Sequence, residues 1–109
     1  MQIYKVTDNY SVSGQISASD VAQIKASGFN CIMCNRPDGE EFGQPTAENI
    51  RTAAENHGIK FFYVPFGHTR ISQELLTEFC DVINGDHGPV FAYCRTGNRC
   101  GMLWNAAHS

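Results

Sequence analysis

Short apolar runs alternate with amphipathic segments along almost the whole of this sequence. Strands are predicted at residues 4–6, 10–15, 29–34, 59–65 and 89–94, where apolar positions alternate or run together over few residues. Helices are predicted to begin at Ser17, Thr46 and Ser72, whose side chains favour helix N-termini, and to occupy residues 101–107. Strand–helix–strand order requires crossover connections. The sequence therefore predicts a single-domain α/β fold over residues 1–109, with a mostly parallel central sheet flanked by helices.

Charge and cysteine content narrow the classes of function. A net charge of −3 and a pI near 5.7 leave no basic face able to neutralise many phosphates, so no nucleic-acid partner is expected. The N-terminal residues contain no long apolar stretch, so neither a signal peptide nor a membrane partner is predicted. The five cysteines are an odd number and do not resemble a secreted disulfide framework. We therefore expect reduced thiols and a cytoplasmic location.

The segment around Cys94 carries the clearest chemical signal. Cys94 ends an apolar run, and a turn containing Gly97 and two arginines leads into the last helix. Backbone N–H groups converge between a strand end and a helix start, and the helix dipole favours negative charge there. Such a setting lowers the pKa of a thiol and produces a thiolate nucleophile. The same amides, with an arginine, can hold a tetrahedral anion.

The predicted topology brings other polar residues to this loop. Ligand sites in parallel sheets lie at the carboxyl ends of the strands, so the loops after Cys34, Pro65 and Cys94 should share one edge. The residues that this placement makes neighbours of Cys94 are Arg36, Asp38, Glu40, Glu41, His68 and Arg70.

Three segments in the correct order resemble the dual-specificity type of cysteine-dependent phosphatase. Residues 28–36 resemble the first core strand and its exit, residues 58–65 the second strand, and residues 79–94 the helix and strand before the nucleophile. A bacterial branch, the beta-lactamase-hydrolase-like phosphatase-domain family, is closer still. It shares the stretches at residues 35–40, 43–45 and 94–99. The resemblance implies a phosphatase-like fold and no metal or other cofactor. Relatives usually continue with more helix, so the chain is expected to be either a complete protein or a trimmed domain.

The loop departs from the phosphatase pattern. Those enzymes have five residues between the cysteine and the phosphate-binding arginine, whereas four separate Cys94 from Arg99. Tyr93 stands in place of a histidine, and Cys100 in place of a hydroxyl residue. Residues 94–99 instead resemble the six-residue active loop of rhodanese sulfurtransferases, which holds a persulfide.

The residue types in the loop at residues 94–100 indicate what each side chain is expected to do. Cys94 is the predicted nucleophile, and Arg99 the predicted bidentate anion ligand. The anion-binding loop is predicted to comprise Arg95, Thr96, Gly97, Asn98, Arg99 and Cys100. Cys100 is expected to pack in the first helical turn, with a resolving thiol as the alternative. Cys31 and Cys34 are expected to point to opposite faces of a strand rather than to form a redox or zinc pair.

The sequence offers two candidates for the general acid. The related phosphatases keep an aspartate in the loop after the second core strand, but here residues 66–70 contain no carboxylate. His68 is one predicted proton donor, and Asp38, reaching across from the neighbouring loop, is the other. Asp38 could equally serve as a turn residue before Gly39.

Three functions are compatible with these patterns. The first is a cysteine-dependent phosphatase that acts on phosphate monoesters through a thiophosphoryl intermediate. The second is a sulfurtransferase that forms a persulfide on Cys94. The third is an inactive module that binds a phosphorylated or sulfated partner. The expected partner is thus a small-molecule or protein substrate carrying a phosphoryl group or a sulfane sulfur.

Overall fold

One five-stranded sheet forms the centre of the molecule. The computed structural model describes all 109 residues. The strands are β1 (Ile3–Thr7), β2 (Tyr10–Ser13), β3 (Cys31–Cys34), β4 (Lys60–Tyr63) and β5 (Val90–Tyr93). They lie in the order β1-β2-β5-β3-β4, and only the β1–β2 pair is antiparallel. The predicted α/β fold with a mostly parallel sheet is confirmed.

Four helices flank the sheet. They are α1 (Val21–Ala26), which follows a 3₁₀ turn at Ala18–Asp20, and α2 (Ala47–Asn56), α3 (Gln73–Ile83) and α4 (Asn98–Ala107). Thr46 and Ser72 cap α2 and α3, each hydroxyl accepting a hydrogen bond of 3.1 Å from an amide three residues on. The helix starts predicted at these two residues are confirmed. None of the helices is long and apolar enough to span a bilayer.

The core divides into two layers, one on each face of the sheet. One layer joins alternate strand residues such as Cys31 to Phe79 of α3 and Leu103 of α4. The other joins residues such as Cys34 to Ile24 of α1 and Ile50 of α2. Successive strand side chains point to opposite faces, so each layer receives every second residue. Cys31 and Cys34 therefore lie on opposite faces, as predicted.

The last helix begins three residues earlier than predicted. Gly97 adopts a left-handed conformation with φ of 93°, and α4 begins immediately after it. Gly101, at which the sequence suggested a helix start, lies inside α4 and has no positive φ. The left-handed glycine, and not the second one, ends the loop. Arg99 and Cys100 consequently belong to the first turn of α4.

Candidate functional site

The three central parallel strands deliver their loops to one edge of the sheet. β5 lies between β2 and β3, and β4 is the outer neighbour of β3. The Cys94 backbone N–H donates to Ser13 O at 3.2 Å, and Arg95 O accepts from Gln15 N at 3.2 Å. A Cβ atom at Gly14 would lie 3.0 Å from Arg95 O, so only a glycine fits there without a shift. The exit of β2 thus fixes the start of the Cys94 loop.

Hydrogen-bond donors converge on the Cys94 sulfur. The Gly97 N–H donates to Cys94 Sγ at 3.1 Å. The Cys100 thiol, and then the backbone amides of Cys100, Thr96 and Arg99, lower the pKa of Cys94 to about 5 against the opposing effect of burial. Cys94 is therefore a thiolate at neutral pH. With four residues between Cys94 and Arg99, the loop is short enough for its amides to close around the sulfur itself.

The thiolate state of Cys94 can be measured directly. Thiolate absorbance in the ultraviolet, recorded as the difference between wild type and Cys94→Ser, is expected to rise with a midpoint near pH 5. Cys31→Ser is the matched control, because burial raises the pKa of Cys31 to about 12. That variant should leave the acidic transition unchanged. A midpoint at the ordinary thiol value of about 8.5 would contradict the stabilisation of the Cys94 thiolate by the surrounding hydrogen-bond donors.

Arg99 is fixed in position but keeps one edge free. Its Nη1 donates to Glu40 Oε2 at 2.7 Å and to Phe66 O at 2.8 Å, and its Nη2 donates to Glu40 Oε1 at 2.7 Å. These bonds use three of the five guanidinium N–H donors. The Nε–H and the second Nη2 hydrogen remain, and they form the planar fork that suits a tetrahedral anion.

Glu40 connects Arg99 to a second arginine. Arg36 is only 2% exposed, and its Nε donates to Glu40 Oε1 at 2.9 Å. Arg36 also binds Gln15 Oε1 at 3.0 Å and Glu41 Oε1 at 3.2 Å. Arg99 and then Arg36 hold the pKa of Glu40 at about 2. The sequence placed these residues at one edge but did not reveal their pairing. The sequence signal that could have indicated this pairing was the presence of two arginines and the adjacent Glu40 and Glu41 on loops predicted to converge.

The two candidate acids occupy different environments. Asp38 Oδ1 accepts from Ala47 N at 2.8 Å, so its carboxylate is used at the first residue of α2. Its own backbone N–H donates to the Tyr63 hydroxyl at 3.0 Å. The His68 side chain is 88% exposed, with Nε2 4.0 Å from Glu40 Oε2. Of the two, His68 is the one beside the cleft.

An open cleft of about 420 Å³ adjoins the loop. The residues that line it are Phe66, Gly67, His68, Thr69, Arg95, Thr96, Asn98, Arg99 and Met102. Cys94 is fully buried and is not among the residues that line the cleft. Arg70 lines a separate depression beside α3.

Comparison of sequences decides the family. The model of the phosphatase-like domain of beta-lactamase hydrolase-like proteins matches residues 2–109. This chain belongs to that family. A beta-lactamase hydrolase-like protein of Agrobacterium fabrum is 31% identical over 104 residues, and one of Xylella fastidiosa is 30% identical over the same number. Each match covers 95% of this chain but 24% of the relative, so the chain spans about a quarter of those proteins.

Solved structures share the fold. A candidate phosphatase from Neisseria meningitidis is 37% identical and superposes with a TM-score of 0.86, covering 95% of this chain and 74% of that one. The catalytic core of the PP-IP phosphatase Siw14 from S. cerevisiae is 24% identical, with a TM-score of 0.71 and coverages of 93% and 60%. TpbA from P. aeruginosa, solved with phosphotyrosine, is 15% identical, with a TM-score of 0.64 and coverages of 93% and 58%. The domain thus has the fold of the dual-specificity type of phosphatase.

Proposed function

We propose that this domain is a cysteine-dependent phosphatase that acts on phosphate monoesters, with Cys94 as the nucleophile. The observation that carries the proposal is the pairing of a low-pKa thiolate with a free guanidinium edge in a phosphatase-like domain. Donors converge on Cys94 Sγ, and Arg99 retains two unused N–H groups on one side. A thiolate supplies the electron pair, and the arginine fork stabilises the charge that develops on phosphoryl oxygens.

The reaction proceeds in two displacements. The Cys94 thiolate attacks phosphorus in line with the ester oxygen, a sulfur–phosphorus bond forms, and the phosphorus–oxygen bond breaks. A proton from the imidazolium of His68 passes to the departing alkoxide. Neutral His68 then takes a proton from water, whose oxygen attacks phosphorus. The sulfur–phosphorus bond breaks, orthophosphate is released, and the thiolate is restored.

His68 is the proposed proton donor, because it lines the cleft while the Asp38 carboxylate is bound to Ala47. His68→Asn is expected to lower kcat for an alkyl phosphate by about a hundredfold, the usual contribution of one general acid. The loss should be smaller for an aryl phosphate, whose leaving group needs little protonation. pH–rate profiles of both substrates provide the measurement.

Asp38→Asn is the comparison variant for the acid assignment. It should weaken the start of α2 and leave the basic limb of the pH–rate profile in place. If Asp38→Asn removed that limb and His68→Asn kept it, the assignment of the acid would be wrong.

Sulfur transfer is the second candidate function, and one observation favours it. The amides of the six-residue loop close on the Cys94 sulfur, which suits a persulfide. Cys94 would attack the sulfane sulfur of thiosulfate and release sulfite. The resulting persulfide would then give that sulfur to a thiol or to cyanide. Such a transfer produces no alkoxide, so it requires no general acid.

Parallel assays separate the candidates. The domain is assayed on an aryl phosphate, and on thiosulfate with cyanide. The proposal predicts turnover of the aryl phosphate. Turnover of thiosulfate alone would rule out the phosphatase assignment. Anion binding without either activity would show that the domain is a binding module.

A further inference from the structure

The two arginines of the loop differ sharply in how they are held. Arg99 is 9% exposed in its side chain, and Glu40 and Phe66 fix it within 2.8 Å. Arg95 is 64% exposed in its side chain, and its one ion pair, with Glu41, spans 3.8 Å. An ion pair between two such exposed groups contributes less than about 1 kcal/mol, so it is readily exchanged. The charge of Arg95 therefore contributes little to the stability of the fold.

The backbone of Arg95 is nevertheless held in a fixed position beside Cys94. Its carbonyl accepts from Gln15 N at 3.2 Å, which fixes the backbone next to Cys94. Its side chain lines the same cleft as Arg99 and Thr96. A group bound at the free edge of Arg99 would thus have a second cation beside it.

Most of the residues that line the rest of the cleft are polar or charged. Phe66 and Met102 are the two hydrophobic residues among its nine lining residues, and Phe66 is buried. With Met102 as its one exposed apolar side chain, the cleft cannot clamp an aromatic ring between two apolar side chains, whereas charge can provide selectivity there.

We propose that Arg95 forms a second anion subsite, and that the substrate carries another phosphate next to the phosphoryl group that is transferred. This inference rests on the proposed function. The second phosphate displaces Glu41 from Arg95, and the first lies at the free edge of Arg99. Glu41 keeps its contact with Arg36 Nη2 at 3.2 Å when Arg95 turns to the substrate.

The test compares inorganic pyrophosphate with orthophosphate, and the readout is the ratio of their Kd values by calorimetry. The protein is the domain carrying Cys94→Ser, which prevents turnover. Pyrophosphate should bind more tightly than orthophosphate. Adding Arg95→Gln should reduce that preference by about tenfold, the worth of one charge-assisted hydrogen bond. Adding Glu41→Gln should increase it by about threefold, because the competing carboxylate is gone.

Two charge-matched controls exclude a general field effect. Lys60→Gln removes a positive charge and Glu55→Gln a negative one, both beside the start of β4 at the opposite edge of the sheet. Neither should alter the preference. A preference that Arg95→Gln and Glu41→Gln change no more than the controls do would overturn the subsite. That outcome leaves Cys94-dependent hydrolysis of aryl phosphates untouched, so the two proposals fail separately.

Discussion

Cys94→Ser is expected to lower kcat for an aryl phosphate by a factor on the order of 10³ or more, because a serine hydroxyl is a far weaker nucleophile than a thiolate. Orthophosphate binding should persist or tighten. The loop amides and the Arg99 edge remain, and the negative charge of the thiolate next to the anion is removed. Steady-state kinetics and calorimetry on the same preparation give both readouts.

Cys31→Ser is the control for that prediction. Cys31 is as fully buried as Cys94, but it begins β3 at the opposite end of the sheet from the loop. The Cys31→Ser variant should retain its turnover per folded molecule, with the folded fraction measured by urea denaturation. A Cys94→Ser variant that hydrolysed the aryl phosphate at the wild-type rate would mean that another group is the nucleophile.

Glu40→Gln is expected to lower the free energy of unfolding by about 2 kcal/mol, since it removes the shared partner of two nearly buried arginines. Arg36 and Arg99 are 2% and 9% exposed in their side chains, and the Glu40 side chain is 18% exposed. A glutamine oxygen can still accept at the Oε1 position, but the side chain carries no charge, and its NH2 group cannot accept the hydrogen bond that Oε2 receives from Arg99 Nη1. The substitution should also loosen Arg99 and raise KM for the aryl phosphate. Urea denaturation at neutral pH gives the stability change.

Acid titration of stability gives an independent readout for Glu40. Its pKa in the folded protein is about 2, below the ordinary value of 4.5, chiefly because Arg99 binds its carboxylate. A depressed carboxyl pKa stabilises the fold above the unfolded value, and that stability is lost as pH falls from about 4.5 toward about 2. Glu40→Gln should flatten the stability profile in this window.

Glu41→Gln is the control for the ion-pair prediction. Its side chain is 55% exposed and contacts Arg36 at 3.2 Å and Arg95 at 3.8 Å. Its removal should cost less than about 1 kcal/mol. Equal losses of stability in Glu40→Gln and Glu41→Gln would contradict the central place of Glu40.

Local signals in the sequence predicted most of the fold. Thr46 and Ser72 act within three residues of themselves, so their capping roles could be inferred without the tertiary structure. The gathering of loops at one edge follows from parallel strands alone. The early start of α4 could not be inferred in this way, because Gly97 and Gly101 are equally plausible helix boundaries until the loop is seen packed against Ser13.

The candidate site required contacts over long sequence separations. Glu40 and Arg99 are 59 residues apart, and the pattern around each gives no sign of the other. Asp38 is similar, since its bond to Ala47 spans nine residues and a loop that the sequence describes only as polar. Topology alone places the loop that carries Glu40 and Asp38 at the same sheet edge as the Cys94 loop, but it does not predict the group that each side chain binds.

The nature of the group transferred to Cys94 tests this account most directly. The domain is mixed with excess aryl phosphate, quenched in acid within one turnover, digested, and examined by mass spectrometry, with a parallel sample taken from thiosulfate. We predict a phosphoryl group on the peptide that contains Cys94 and no such adduct in Cys94→Ser. A persulfide on Cys94 from thiosulfate, with no phosphoryl adduct from the aryl phosphate, would contradict the phosphatase assignment and establish sulfur transfer in its place.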